Sequence, residues 1–188
     1  MNIEQMTEKL RNTLEKKRFE HSLLVMESAV KLAEHYGADV EKARIAGLLH
    51  DCAKNYPIDE LYAICERYGV ILDEVTKNEP GLLHAYAGAC ILKDEYEIDD
   101  EEIYDAVFYH TVGKPDMSPI TKIIFIADCI EPGRGAGWAD EVRNAVFEDM
   151  DKALIIQLDN TIRSVLKKGT LLHTNTINTR NFYIQKSR

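Results

Sequence analysis

The apolar residues of this 188-residue chain recur at intervals of three and four almost from end to end, a period that leaves room for little besides α-helix. Ile3, Met6, Leu10 and Leu14 make one stripe. His21, Leu24, Val25, Ser28 and Leu32 make a second, which Gly37 can stop. Asp39 is placed to cap a helix that aligns Val40, Ala43, Ala46 or Gly47, and His50. Pro57 suits a first turn ahead of Leu61, Ile64, Cys65 and Tyr68, and Gly69 ends that helix. Residues 70–81 read as irregular, closing on the loop Asn78-Glu79-Pro80-Gly81. Further helices are expected over 83–95, from Asp99 or Asp100 to His110, from Ser118-Pro119 through Asp128, over 139–148, and over 151–168 up to Gly169. The polar tail 170–188 has weak periodicity, strand patterns are nearly absent, and no repeat or linker divides the chain. The expectation is an all-α bundle of about nine helices, one domain over 1–188, with a core at 18–130 and C-terminal helices and tail 139–188 packed on it.

Composition narrows the function classes. A net charge of −9 disfavours duplex nucleic acid as a partner. An anionic small substrate is compatible, given local compensation from a metal ion or a few placed Lys and Arg. Cys52, Cys65, Cys90 and Cys129 have no C-x-x-C spacing and read as reduced, buried thiols of a cytoplasmic protein. No uncharged apolar run approaches the ~18 residues of a membrane span, and Met1–Gln5 lack a signal-peptide pattern.

A lone histidine on an apolar helix face is usually a satisfied core residue, and His35, at a helix C-terminus, is read that way. His21, His50, His84 and His110 are different, because each falls on the core stripe of a separate helix. Asp128 also falls on a core stripe, where a carboxylate without a partner is costly. Asp51 follows His50 directly; neighbours on a helix point about 100° apart, so both serve one site only if they flank it or the helix ends there. Lys54, Asn55 and Pro57 indicate that it ends. Four or five helices thus send imidazoles and carboxylates towards one interior point, a donor mix that suits iron, manganese or zinc.

The order His21, His50-Asp51, His84, His110, Asp128 resembles the HD-domain metal-dependent phosphohydrolases. The segments His50–Lys54, Gly81–Ala89, His110–Gly113 and Lys122–Arg134 look like the YqeK-type bacterial members of that superfamily, and the resemblance covers nearly the whole chain. It implies a helical HD-domain bundle and symmetrical hydrolysis of diadenosine tetraphosphate to two ADP, with iron as the metal. It also implies that His21, His50, Asp51 and Asp128 hold the principal ion, while His84 and His110 complete a second site or contact substrate phosphate. Asp51, Lys54, His84, His110 and Arg134 are then the catalytic candidates.

The chemistry fits independently of the name. A phosphoanhydride needs activated water and neutralised phosphate charge, both of which a divalent ion provides. Lys54, about one turn after Asp51, and Arg134, in a glycine-flanked loop, are candidates to clamp phosphate; otherwise each is a surface cation. Thr111 can donate a hydroxyl hydrogen bond or cap a helix end, and Arg18 lies one turn before His21. The segment Thr170–Asn175 either folds back over the nucleotide, adding Thr170 and His173 as contacts, or is a loosely docked tail. Glu131 is placed to orient a ligand, and Trp138 either stacks on a base or packs. The rival readings are an HD nucleotidase with another nucleotide substrate and a non-catalytic nucleotide sensor. The stripe over 3–14 is either a homodimer surface or a helix docked on the bundle.

Overall fold

The computed structural model describes residues 1–135 and 137–188. Eleven α-helices follow one another: α1 (Ile3–Thr13), α2 (Lys16–Tyr36), α3 (Val40–Leu49), α4 (Ile58–Arg67), α5 (Glu74–Asn78), α6 (Leu83–Tyr96), α7 (Glu101–Tyr109), α8 (Pro119–Ile130), α9 (Trp138–Val146), α10 (Met150–Lys168) and α11 (Thr174–Lys186). A 3-10 turn, Pro80–Leu82, leads into α6, and there is no strand among the described residues. The expected starts are where the sequence puts them. Asp39 accepts from the Lys42 N–H, Asp100 from those of Glu102 and Ile103, and Ser118 from that of Thr121.

Two helices exceed the expected nine. Helix α5 has five residues and buries only Thr76; it exists because the Asp73 carboxylate accepts from the Val75 and Thr76 amides. Helix α11 corrects the reading of 170–188 as a polar, weakly periodic tail. Its buried face is Thr176, Thr179 and Tyr183, spaced as a helix requires but too polar to register as an apolar stripe. Those groups bond to the backbone beyond α7: Thr176 Oγ1 donates to Val112 O at 3.2 Å, and the Met117 amide donates to Tyr183 Oη at 3.0 Å.

The core is continuous through α2, α3, α6, α7 and α8, with Val25, Leu32, Leu48, Leu49, Ile123 and Ile124 fully buried. Helices α2 and α3 approach so closely at Gly47 that a Cβ there would lie 2.9 Å from Met26 Cα. Met6 and Leu10 of α1 are also buried, so the N-terminal stripe docks on the chain's own bundle. No described helix is long and apolar enough to cross a membrane.

Candidate metal centre

Four histidines come together from α2, from α6 and from the ends of α3 and α7, and three of the rings are anchored alike. His50 Nδ1 lies 2.8 Å from Gly47 O, His84 Nδ1 2.8 Å from Gly81 O, and His110 Nδ1 2.7 Å from Val107 O. Each ring is bonded to the carbonyl three residues earlier, at the end of α3, in the first turn of α6, and at the end of α7. His21, on α2, instead turns Nδ1 to the buried Glu131 carboxylate at 3.1 Å. An oxygen beside each Nδ1 favours the proton there whenever the ring is neutral, which turns the Nε2 lone pair inward.

Those Nε2 atoms surround two carboxylates. His84 Nε2 is 3.0 Å and His110 Nε2 3.6 Å from Asp51 Oδ1; His50 Nε2 is 3.5 Å and His21 Nε2 3.9 Å from Asp51 Oδ2. Asp128 Oδ1 lies 3.0 Å from His21 Nε2 and 4.0 Å from His50 Nε2. Two sets of donors cluster tightly enough to hold an ion each, His21/His50/Asp51 and Asp51/His84/His110, with Asp51 common to both. The end of α3 at Leu49, a few residues before the expected stop signals Lys54, Asn55 and Pro57, lets adjacent His50 and Asp51 face one point.

The donor set fits divalent metal. The Nε2 atoms of His21 and His50 are buried and make no hydrogen bond. His21 Nε2 is close to Asp128 but not aligned along a donor–acceptor direction, so the two atoms sit side by side as ligands to a common centre do. An orphaned buried nitrogen is costly unless something electropositive meets it. The residues present therefore match a nitrogen-and-oxygen site for a transition metal.

The field is arranged to keep the ligands ready. Burial opposes the Asp51 charge, but the surrounding imidazoles of His50, His110 and His84 hold its pKa well below the usual carboxylate range. Burial opposes Asp128 as well, and His21, His50 and Arg134 more than offset it. Burial pushes His84 down to about 4, with His110 and Lys54 adding to it and Asp51 opposing. His84 is thus neutral near neutral pH. Burial also lowers the Lys54 pKa, aided by Arg18 and Arg134 and opposed by Asp51 and Asp128.

Cations line the entrance. Arg18 Nη1 is 2.7 Å from Asp51 Oδ2, and Arg134 Nη2 is 2.5 Å from Asp128 Oδ1. The Lys54 ammonium lies against the His84 ring, 3.2 Å from each nitrogen. A cleft of about 490 Å³ opens here between Lys17, Arg18, His21, Lys54, Asn55 and Arg134.

This arrangement has counterparts among known proteins. Residues 18–133 match the HD domain family. The chain belongs to that family. It is 37% identical over 187 residues to the symmetrical bis(5'-nucleosyl)-tetraphosphatase of Bacillus subtilis, spanning 100% of both chains. It is 36% identical to the protein of that name from Staphylococcus aureus, over 97% of this chain and 95% of the other. A solved structure described as a predicted HD superfamily hydrolase involved in NAD metabolism, from Clostridium acetobutylicum, superposes with a TM-score of 0.96 at 47% identity, covering 99% and 98% of the two chains.

The fold gathers His21, His50, Asp51, His84, His110, Asp128, Arg18, Lys54 and Arg134 at one place. Asp128 is not a fully buried stripe residue: its side chain keeps 26% exposure. Thr111 Oγ1 is buried and unbonded beside His110. Thr170 and His173 are not brought to the cluster. Thr170 is exposed, while His173 caps α11 through Nδ1, with Nε2 2.7 Å from Asp73 Oδ2. This ring latches α11 to the segment before His84. Burial pushes the Cys52 and Cys129 thiols up, as suits core residues.

Sequence reasoning missed Lys17 and Asn55. Asn55 Oδ1 accepts the Glu15 amide at 3.0 Å, holding the start of α2 against the turn after Asp51. An Asn two residues before a Pro signals a turn, but its partner lies 40 residues away and no local pattern names it.

Proposed function

We propose that this HD-domain protein is a metal-dependent hydrolase that cleaves diadenosine tetraphosphate at its central phosphoanhydride, giving two ADP. The observation that carries the reading is Asp51 shared by two imidazole groups, with Arg18, Lys54 and Arg134 at the mouth of the same cleft. Full-length similarity to relatives named for that activity supports the substrate. His21, His50, Asp51 and Asp128 would hold one ion, and Asp51, His84 and His110 a second. Iron is our first choice of metal, with manganese or zinc as alternatives of the same ligand preference. Bound ions supply Lewis acidity and lower the pKa of water.

The chain's own residues do the rest. Glu131 fixes the His21 ring, and the three backbone carbonyls fix the others, so no ligand must reorganise on binding. Lys54 and Arg134 neutralise phosphate oxygens where charge accumulates, and Arg18 and Thr111 add contacts to the chain of phosphates. ADP is a weakly basic leaving group and needs no strong general acid. We place residues 1–188 in one domain, acting in the cytoplasm on a small nucleotide, without nucleic acid or membrane partners.

The test is an anaerobic assay with ferrous iron and diadenosine tetraphosphate, nucleotides being resolved by anion-exchange chromatography. ADP as sole product supports the reading. ATP plus AMP would replace the symmetrical geometry, and turnover of NAD instead would replace the substrate.

A further inference from the structure

Trp138 is the chain's single tryptophan, and its side chain is half in solvent at 49% exposure, so packing does not explain it. It opens α9 and forms one wall of a cleft of about 450 Å³ whose other wall is the last two turns of α10. That wall carries Arg163, Val165, Lys167 and Lys168. Arg163 is held in place. Asn160 Nδ2 approaches Trp138 O at 3.5 Å, and Arg163 Nη1 donates to Asn160 Oδ1 at 3.2 Å, which ties the guanidinium to the tryptophan's side of the cleft. Lys167 is one turn beyond Arg163. None of these three cations has a carboxylate partner among the described residues, in a chain of net charge −9. Carboxylates nearby are already engaged: Asp140 by Arg143, Asp159 by Arg180.

A flat aromatic face beside unpaired cations is the chemistry that recognises a base carrying phosphates. We propose that this cleft is a second nucleotide site, distinct from the metal centre, that takes an adenine nucleotide such as ADP with its base on Trp138 and its phosphates on Arg163 and Lys167. The site lies beyond residues 18–133, the part of the chain that matches the HD domain. It needs none of the ligands His21, His50, Asp51, His84, His110 or Asp128, so it stands or falls apart from the proposed hydrolysis.

The single tryptophan makes the test direct. Fluorescence of the full chain is titrated with ADP in the presence of a chelator, with inorganic phosphate as control. Saturable quenching by ADP but not by phosphate is expected, and it should weaken at least tenfold in the Arg163→Glu/Lys167→Glu variant while helical circular dichroism is unchanged. The proposal is overturned by no quenching, by quenching that persists in that variant, or by quenching that vanishes in Arg134→Ala, which would make Trp138 a reporter of the metal cleft. A tryptophan blue shift that tracks protein concentration and a dimer in sedimentation would instead assign the face to a second copy of this chain, and would also overturn it.

Discussion

His84 and His110 point their Nε2 atoms at one another across 3.2 Å, while each Nδ1 is bonded to a carbonyl of its own chain segment. With both Nδ1 atoms protonated, the two Nε2 lone pairs and Asp51 Oδ1 converge on one point, where a divalent cation would be held by all three. Ligand binding to the folded state should then stabilise it. With metal at about 100 times its Kd the gain is about 2.7 kcal/mol. Thermal unfolding with manganese against chelator checks this, and equal melting temperatures would mean the cluster does not take metal.

Glu131 and Gly133 act on His21 together. The Gly133 amide donates to Glu131 Oε2, and a Cβ at Gly133 would lie 2.8 Å from that same oxygen. Both Glu131→Gln and Gly133→Ala should loosen the His21 ring and weaken metal binding about 10–100-fold. Calorimetric titration with manganese reads the effect; unchanged affinity in Glu131→Gln would remove Glu131 from the ligand's support.

Gly47 sets the spacing between the helices that carry His21 and His50, and its carbonyl also anchors the His50 ring. Gly47→Ala must push against Met26 Cα, a backbone atom that cannot rotate aside. The expected loss is about 1–3 kcal/mol, typical of overpacking, measured by urea unfolding. The metal affinity should fall with it.

Lys54→Ala and Arg134→Ala should separate binding of metal from turnover. Neither side chain is among the clustered donors, so metal content should hold. Loss of one fixed positive donor at a transition state lowers kcat by about 10²–10³. Metal analysis beside initial rates tests it, and wild-type turnover in both variants would move the phosphate clamp elsewhere.

Acid stability should report on the C-terminal helix. Burial opposes the Asp151 charge, but hydrogen bonds from Lys122 at 2.5 Å and Lys186 at 2.8 Å outweigh it and lower its pKa. A carboxyl with a depressed folded pKa stabilises fully above its unfolded value of about 3.9. That contribution is lost as pH falls through the folded value. The stability difference between wild type and Lys186→Ala should therefore be largest near neutrality and shrink below about pH 4. Denaturant titrations across that range check the sign.

The features legible in the residues alone were local or periodic. The 3.6-residue period identified nine helices, side-chain oxygens marked their starts, and polar residues on apolar stripes picked out His21, His50, His84, His110 and Asp128. The break after Leu49 let Asp51 join His50, as Lys54 and Pro57 indicated. Tertiary structure decided what depends on distant partners. Helix α11 was hidden because its buried face satisfies loop backbone with Thr176 and Tyr183 instead of apolar surface. His173 bears the same residue type as the site histidines, yet Asp73, 100 positions away, takes its ring. That Asp51 lies between two imidazole groups is a property of four helices meeting. Periodicity shows which way a side chain faces along its own helix, but only packing fixes which neighbour it meets there.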